Sequence, residues 1–116
     1  MRTYQEWQKI NPRKAELLAA CANAIRQVVP EAEVILYGSV ARGEDGPDSD
    51  VDLLVLVPQE VTYELERAIR DQTFEAELEY NHVITTIIRQ VSKWHAAPLN
   101  FTPLYRSIAR EGVLVV

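Results

Sequence analysis

Two aspartates separated by a single residue, Asp50 and Asp52, are the side chains of this sequence best placed for chemistry. The aliphatic run VDLLVLV at this point predicts a β-strand, and residues two apart on a strand share one face with Cα atoms about 6.7 Å apart. Two neighbouring carboxylates repel each other unless a cation lies between them. Mg²⁺ meets that requirement, because it takes oxygen ligands and is commonly held by one or two carboxylates and substrate phosphates. The spacing is therefore compatible with a Mg²⁺ site at this pair.

A glycine and a serine, Gly38 and Ser39, follow the strand predicted for the segment VILY. Glycine allows a phosphate to approach the backbone closely, and the Ser39 hydroxyl with nearby N–H groups can donate hydrogen bonds to phosphate oxygens. Arg42 adds a planar guanidinium that can neutralise phosphate charge or anchor the loop. These residue types predict a phosphate-binding turn beside the metal site.

The polar loop between the two strands also has a purely structural interpretation. Asp48, Ser49 and Asp50 are common turn formers, and the segment from Gly43 to Pro47 suits an ordinary hairpin loop. The patterns GxxxxGK[ST] and GxGxxG are absent from the sequence, which excludes a P-loop and a Rossmann fingerprint. A lone Asp-x-Asp is a weak signal, but its combination with the Gly-Ser turn and Arg42 favours a nucleotide site.

The spacing of these residues resembles the signature of the DNA polymerase β-like nucleotidyltransferase superfamily, a Gly-Ser pair followed by Asp-x-Asp. At this length the chain is most similar to the minimal nucleotidyltransferases, which are often encoded beside a HEPN-domain partner as a toxin-antitoxin pair. A weaker similarity runs from Pro103 to Gly112. The segments that carry the main resemblance are Gly38-Ser39, Ala41-Arg42-Gly43 and Ser49-Asp50-Val51-Asp52-Leu53.

The resemblance implies an Mg²⁺-dependent enzyme that transfers a nucleoside monophosphate, AMP from ATP in the leading interpretation, to a hydroxyl of a protein or small molecule. A HEPN-domain toxin is the acceptor that it suggests. It implies a catalytic and metal-binding role for Asp50 and Asp52. Nucleotide binding is implied for Gly38, Ser39, Arg42 and Ser49. The base of the nucleotide and the acceptor itself stay open at this point.

A third carboxylate, usual in the superfamily on a strand beside the Asp-x-Asp strand, has no evident counterpart here. No acid occurs from His82 through Ala109, and Thr85 falls where the carboxylate is expected. Glu77 and Glu79 are the nearest acids before this strand, and Glu79 is the candidate for the role. Two-metal chemistry is therefore in question, because two ions roughly 3.5 to 4 Å apart normally need more ligands than two aspartates.

This departure keeps a second function open. The chain could be a non-catalytic antitoxin or regulatory subunit that retains the nucleotidyltransferase fold and acts by binding its partner. The intact Gly-Ser turn and Asp-x-Asp favour the enzyme, whereas the missing carboxylate favours the binding module.

Length and composition restrict the remaining possibilities. The 116 residues predict a single domain, residues 1–116, so a surface for the acceptor must come from a partner or from a second copy in a homo-oligomer. A net charge of −5 argues against nucleic-acid binding through the phosphate backbone. Cys21, the single cysteine, excludes an internal disulfide. The chain shows neither a leader nor a membrane-spanning run, so we expect a cytoplasmic protein.

The helices and strands around the site are predicted from the spacing of apolar residues and from the positions of glycine and proline. We predict an α+β fold of the nucleotidyltransferase type, a small mixed β-sheet covered by helices that gather on one face. Residues 1–10 suggest a short helix or a docking arm, and residues 92–100 a loop in which Trp94 either packs on the sheet or presents an aromatic surface. The remaining predictions are a helix from Pro12 to Pro30, strands at 34–37 and 51–57, a helix at 61–80, a strand at 82–91, a helix from Pro103 to Gly112 and a final strand VLVV.

Overall fold

The computed structural model describes residues 2–115; Met1 and Val116, at the ends of the predicted first helix and last strand, lie outside them. Six α-helices and four strands lie within this range, together with a short 3-10 helix at Leu99–Phe101. The helices are α1 (Tyr4–Ile10), α2 (Pro12–Val28), α3 (Gly38–Arg42), α4 (Tyr63–Tyr80), α5 (Val91–Trp94) and α6 (Pro103–Glu111). The strands are β1 (Glu33–Tyr37), β2 (Val51–Val57), β3 (Ile84–Gln90) and β4 (Val113–Val115).

The four strands form one mixed sheet in the order β3-β2-β1-β4. β1 runs antiparallel to β2 and to β4, whereas β2 and β3 are parallel, as expected for strands joined through a helix, here α4. This order places β2 in the interior of the sheet, with β1 and β3 as its neighbours. Asp52 consequently lies opposite Tyr37 on one side and Thr85 on the other.

The larger hydrophobic core lies between one face of the sheet and three helices. Alternate residues of β2, including Leu53 and Val55, point into this core. Trp7 of α1, Leu18 of α2 and Ile69 of α4 are fully buried in the same cluster. Helix α1 is therefore part of the fold, and the alternative of a docking arm is wrong for this segment.

A second, smaller core covers the opposite face, so the prediction that helices gather on one face is wrong. Leu54 and Leu56 of β2 pack there against Trp94 of α5 and Ile108 of α6. The physical reason lies in β2 itself, because residues 53–57 are buried on both faces and read as a continuous aliphatic run. A central strand of this kind needs a cover on each side, and two short helices supply the second cover. Trp94 packs on the sheet, as one of its two interpretations predicted.

The α+β class and the mixed, helix-covered sheet are confirmed. Two short helices were predicted as turn or loop: α3, directly after β1, and α5, directly after β3. Threonines begin three of the helices, where the hydroxyls of Thr3, Thr62 and Thr102 accept hydrogen bonds from backbone N–H groups of the first turn. No helix in residues 2–115 is long and apolar enough to cross a membrane.

Candidate active site

The two aspartates lie at the start of β2, on the sheet face that carries the smaller core. Asp50 is exposed and directly precedes the strand, and Asp52 is the second strand residue and partly buried. Further along the same face, Leu54 and Leu56 enter the core. Asp52 is thus held by the backbone of a strand whose later residues are buried. The two carboxylates lie at the end of the sheet that the smaller core does not cover.

Gly38 brings the turn after β1 against the Asp52 carboxylate. Its φ of +80° is a left-handed value that side chains disfavour, and an added Cβ would lie 2.5 Å from Oδ2 of Asp52. Tyr37, the residue before it, pairs with Asp52 across the two strands. A glycine is therefore required at this point on two independent grounds, and it leaves the backbone of the turn beside the carboxylate.

The turn itself is the five-residue helix α3, which contains Ser39 in its first turn. N–H groups at the start of a helix have no partner within the helix, so they are available to a ligand or solvent. Gly43, with a φ of +75°, ends the helix in the left-handed conformation usual for glycine at this position. The predicted Gly-Ser turn is thus a short helix that presents Ser39 and its backbone at the end of the sheet.

The electrostatics of the pair show a deficit of positive charge. Burial raises the pKa of Asp52 above its ordinary value, and the neighbouring charge of Asp50 raises it further, whereas Arg42 lowers it. Burial also raises the pKa of the Tyr37 hydroxyl, with a second contribution from Asp52. An added cation that takes oxygen ligands would offset the repulsion between the two carboxylates.

Arg42 is held mainly by two glutamates. Its Nε donates to Glu44 at 3.1 Å, and its NH1 group donates to both carboxylate oxygens of Glu111 at 3.1 and 3.2 Å. The bond to Glu111 joins α3 to α6, so Arg42 anchors the loop, one of the two roles that the sequence suggested. The Arg42 side chain is 40% exposed to solvent, and its positive charge lowers the pKa of Asp52.

The loop after α3 is fixed by two residues from the start of α2. Lys14, nearly buried, forms an ion pair with Asp45 at 2.5 Å and donates to the Gly46 carbonyl at 3.0 Å. Asn11 takes the cap position of α2, and its side-chain amide donates to Asp45 at 2.9 Å. Hydrogen bonds from Lys14 and Asn11 outweigh the effect of burial, and the pKa of Asp45 lies below its usual value.

The other end of the loop is fixed near the aspartates. The Ser49 hydroxyl accepts the Gly46 N–H at 2.9 Å and so closes a turn directly before Asp50. His82 Nε2 lies 2.6 Å from the Ser49 carbonyl oxygen, which accepts a hydrogen bond from the ring N–H. Ser49, predicted to bind nucleotide, therefore has a structural role here, and its hydroxyl hydrogen remains available to a phosphate oxygen.

Helix α1 and the residue Arg2 before it donate hydrogen bonds to backbone carbonyl groups of α3. The indole N–H of Trp7 donates to the Val40 carbonyl at 2.9 Å within the core, and Arg2 donates to the Ala41 carbonyl at 3.2 Å. Sequence reasoning missed this support and that of Lys14. A usable signal existed for Lys14, because it shares the apolar face of α2 with Leu17 and Leu18, and a charge on a buried face needs a partner.

The structure does not bring a third acid to the pair. Thr85 lies beside Asp52 in the parallel register, at the position expected for the missing carboxylate. Glu79, the candidate for that role, lies on α4, which packs on the opposite face of the sheet. Among residues 2–115, no group of three acidic, histidine or cysteine side chains could hold a metal ion. A Mg²⁺ ion would fit the two carboxylates with the remaining ligands drawn from substrate phosphates and water.

A mixed sheet with paired aspartates beside a glycine turn defines a nucleotidyltransferase class of fold. A model of the nucleotidyltransferase domain matches residues 18–115, and the chain belongs to this family. The match begins within α2, so α1, Asn11 and Lys14, which hold the site from behind, precede it. A search of curated proteins gives no significant match.

One solved structure similar to this chain is that of a toxin-antitoxin with AMP-PNP. The two share 15% sequence identity and superpose with a TM-score of 0.61 over 84% of this chain and 70% of the other. At this identity the similarity supports the shared fold. It agrees with the nucleotidyltransferase fold predicted from the Gly-Ser and Asp-x-Asp residues.

Proposed function

We propose that this protein transfers AMP from ATP to a hydroxyl group of a partner protein in a Mg²⁺-dependent reaction. The observation that supports the proposal is the close approach of Gly38 to Asp52, because it brings the start of α3 beside one of the two carboxylates. Phosphate oxygens need N–H and hydroxyl donors, and the metal that accompanies them needs carboxylates. The two halves of a nucleotide triphosphate site thus lie next to each other.

Each predicted site residue then has a role. The backbone after Gly38 and the Ser39 hydroxyl donate to phosphate oxygens, and Arg42 offsets their charge while it secures α3. The Ser49 hydroxyl closes the loop and can donate outward. Asp50 and Asp52 would hold Mg²⁺.

The reaction balances as a displacement at phosphorus. The acceptor hydroxyl oxygen attacks the α-phosphorus of ATP, and the bond from that phosphorus to the oxygen bridging the β-phosphate breaks. Pyrophosphate leaves with the bonding electron pair, and the hydroxyl proton passes to water. When bound, the metal would stabilise the charge that develops on the phosphoryl oxygens.

A protein acceptor is supported by the similarity of the fold to that of one solved structure. The similar solved structure is that of a toxin-antitoxin with AMP-PNP. We propose a HEPN-domain toxin as this acceptor, by the resemblance to minimal nucleotidyltransferases. An antitoxin of this kind would silence its partner by modifying it.

A second function is favoured by one observation, the threonine beside Asp52. Thr85 supplies no charge where a third carboxylate is expected. A protein with this change could keep nucleotide and partner binding and act as a non-catalytic antitoxin or regulatory subunit.

ATP labelled at the α-phosphate or at the γ-phosphate separates these proposals. The purified protein is incubated with Mg²⁺, each labelled ATP and a purified HEPN-domain protein. Nucleotidyl transfer predicts label on the partner from the α-position alone, and no label with the Asp50→Asn, Asp52→Asn variant. Partner binding without label from either position would favour the non-catalytic subunit, and label from the γ-position would show a kinase instead.

A further inference from the structure

Two adjoining grooves run along the outer side of β3, between this strand and α4. One is bounded by Thr85 and Thr86 of the strand and the other by Val83 and Asp48, and both share a wall formed by Phe74 and Glu77. Together they make a continuous groove, called here the β3 groove. None of the roles assigned above uses it.

Large apolar side chains stand exposed in the β3 groove. Phe74 is 55% exposed, Leu78 67% and Val83 55%, and all three line the same part of it. Phe74 and Leu78 are four residues apart on α4, so they share one face of the helix. An apolar cluster rimmed by polar residues is a common mark of a protein interaction site.

The strand that borders the groove has a free edge. β3 is the terminal strand of the sheet and pairs with β2 on its inner side, with no strand on its outer side within residues 2–115. An unpaired edge offers backbone N–H and C=O groups to an added strand. Peptides that bind in this manner lie extended and gain affinity from main-chain hydrogen bonds. The groove therefore suits an extended segment.

The groove also leads to the aspartates. Thr85 lines it and is the register partner of Asp52, and Asp48 lines it two residues before Asp50. On its other side, Asp52 is closed off by the turn at Gly38. The groove lies on the α4 side of the sheet, whereas Asp52 lies on the opposite side. Alternate residues of a strand added to β3 point to opposite faces, so a residue between two that face α4 would carry its hydroxyl to the face of Asp52.

Charge indicates what kind of segment fits. The walls carry Asp48, Asp71 and Glu77, and the one arginine among them, Arg70, is paired with Glu66 at 3.3 Å. The last turn of α4 has no basic residue, although cations are favoured at the end of a helix. Basic side chains of a partner would complement this surface. A second copy of the chain, at a net charge of −5, would be repelled from it.

We infer that the β3 groove receives an extended, basic segment of the acceptor protein and presents its hydroxyl to the phosphate held beside Asp52. The inference rests on the proposed function and names the acceptor's chemistry: apolar and basic residues at every second position, which face α4, and between them a tyrosine, serine or threonine that faces the side of Asp52. The apolar side chains of the segment contact Phe74 and Leu78, and its basic side chains face Asp71 and Glu77.

The test uses the full chain and two synthetic peptides, Lys-Thr-Val-Tyr-Lys-Thr-Val and its counterpart with glutamate in place of lysine. Fluorescence anisotropy without nucleotide measures peptide binding alone. The basic peptide should bind at least about tenfold more tightly than the acidic one, and the Phe74→Ser, Leu78→Ser variant should lose about tenfold of that affinity. Tyr63→Ser, at a 71% exposed position of the same helix, is the matched control and should change nothing.

Three outcomes would overturn the inference. These are equal binding of the two peptides, unchanged affinity in the Phe74→Ser, Leu78→Ser variant, or a dimer of the wild-type chain in sedimentation that the same variant abolishes. The dimer would show that a second copy occupies the groove. ATP binding is measured separately by calorimetry, so a failure there counts against the proposed function without affecting the peptide result. Melting temperatures confirm that each variant is folded.

Discussion

A Cβ atom on Gly38 would lie 2.5 Å from Oδ2 of Asp52. This proximity ties the phosphate-binding turn to the carboxylate pair more closely than the sequence spacing indicates. The positive φ of Gly38 makes the same position unfavourable for a side chain even without the clash. The two halves of the site therefore depend on each other through one residue.

Replacement of Gly38 by alanine should uncouple these two halves. We expect Gly38→Ala to lower the free energy of unfolding by about 1–3 kcal/mol, because the left-handed conformation is strained and the carboxylate must shift. ATP affinity should fall by at least about tenfold. Gly46→Ala is the matched control, because its nearest atom would be the Ser49 hydroxyl oxygen at 3.9 Å. Equal effects of the two substitutions in chemical denaturation would contradict the account.

Asp52 should reduce the stability of the metal-free protein at neutral pH. A carboxyl group whose folded pKa is raised stabilises the protein below its unfolded pKa, about 3.9, and that stability is lost as pH rises through the folded value. Asp52→Asn should therefore raise the melting temperature at pH 7 in the absence of metal, with a difference that narrows below about pH 4. Glu33→Gln, an exposed change at the far end of β1, should alter the free energy of unfolding by no more than about 0.5 kcal/mol. A lower melting temperature for Asp52→Asn would disprove the charge argument.

Trp7 should support nucleotide binding from outside the site. Trp7→Phe removes the N–H that donates to the Val40 carbonyl and leaves that carbonyl only the longer hydrogen bond from the Gly43 N–H at 3.3 Å, at a cost of about 1 kcal/mol. Because Val40 belongs to α3, ATP affinity should fall as well. Trp94→Phe removes a similar volume from the smaller core and serves as the control. We expect both variants to be less stable and Trp7→Phe alone to bind ATP more weakly; equal ATP affinity in the two would refute a positioning role.

The ion pair between Lys14 and Asp45 should make stability depend on pH in acid. The pKa of Asp45 is lowered in the folded protein, so its stabilisation is present above the unfolded pKa of about 3.9 and is lost as pH falls through the folded value. Lys14→Met should cost about 3 kcal/mol at pH 7, because it leaves a nearly buried carboxylate unpaired. Lys14→Met combined with Asp45→Asn should recover part of that loss and flatten the acid dependence. Urea unfolding between pH 3 and 7 distinguishes these results. If the free energy of unfolding of the variants depends on pH as it does in the wild-type protein, the ion pair is not the cause.

The sequence predicted the α+β class and the elements with strong periodicity. Helices α2, α4 and α6 and the three longer strands were predicted with small errors at their ends, because each carries a clear apolar pattern or a cap such as Thr102. Helices α3 and α5 were missed because a single turn contains too few residues for a helical period. The covering of both sheet faces was missed as well, since a strand buried on two sides gives no alternation to interpret.

The parts of the candidate site that lie within one strand or turn were predicted. The contacts between residues far apart in the sequence were missed. Asp50, Asp52 and Gly38 follow from local spacing. The hydrogen bonds of Trp7 to Val40 and of Arg42 to Glu111 depend on packing between separate elements, which no local pattern encodes. The roles of Ser39, Arg42 and Ser49 toward a nucleotide remain predictions. So does a third carboxylate at Glu79, although α4 carries this residue on the opposite face of the sheet.

The central claim, a metal-dependent nucleotide site at the aspartate pair, is tested most directly by calorimetry with ATP. Binding is measured for the wild-type protein with Mg²⁺ and with EDTA, for the Asp50→Asn, Asp52→Asn variant, and for Glu33→Gln as a control. The account predicts ATP binding that requires Mg²⁺, is retained by Glu33→Gln and falls by at least about tenfold in the double variant. Binding of the same strength in EDTA or in the double variant, or none at about 1 mM ATP with the fold intact by circular dichroism, would contradict it.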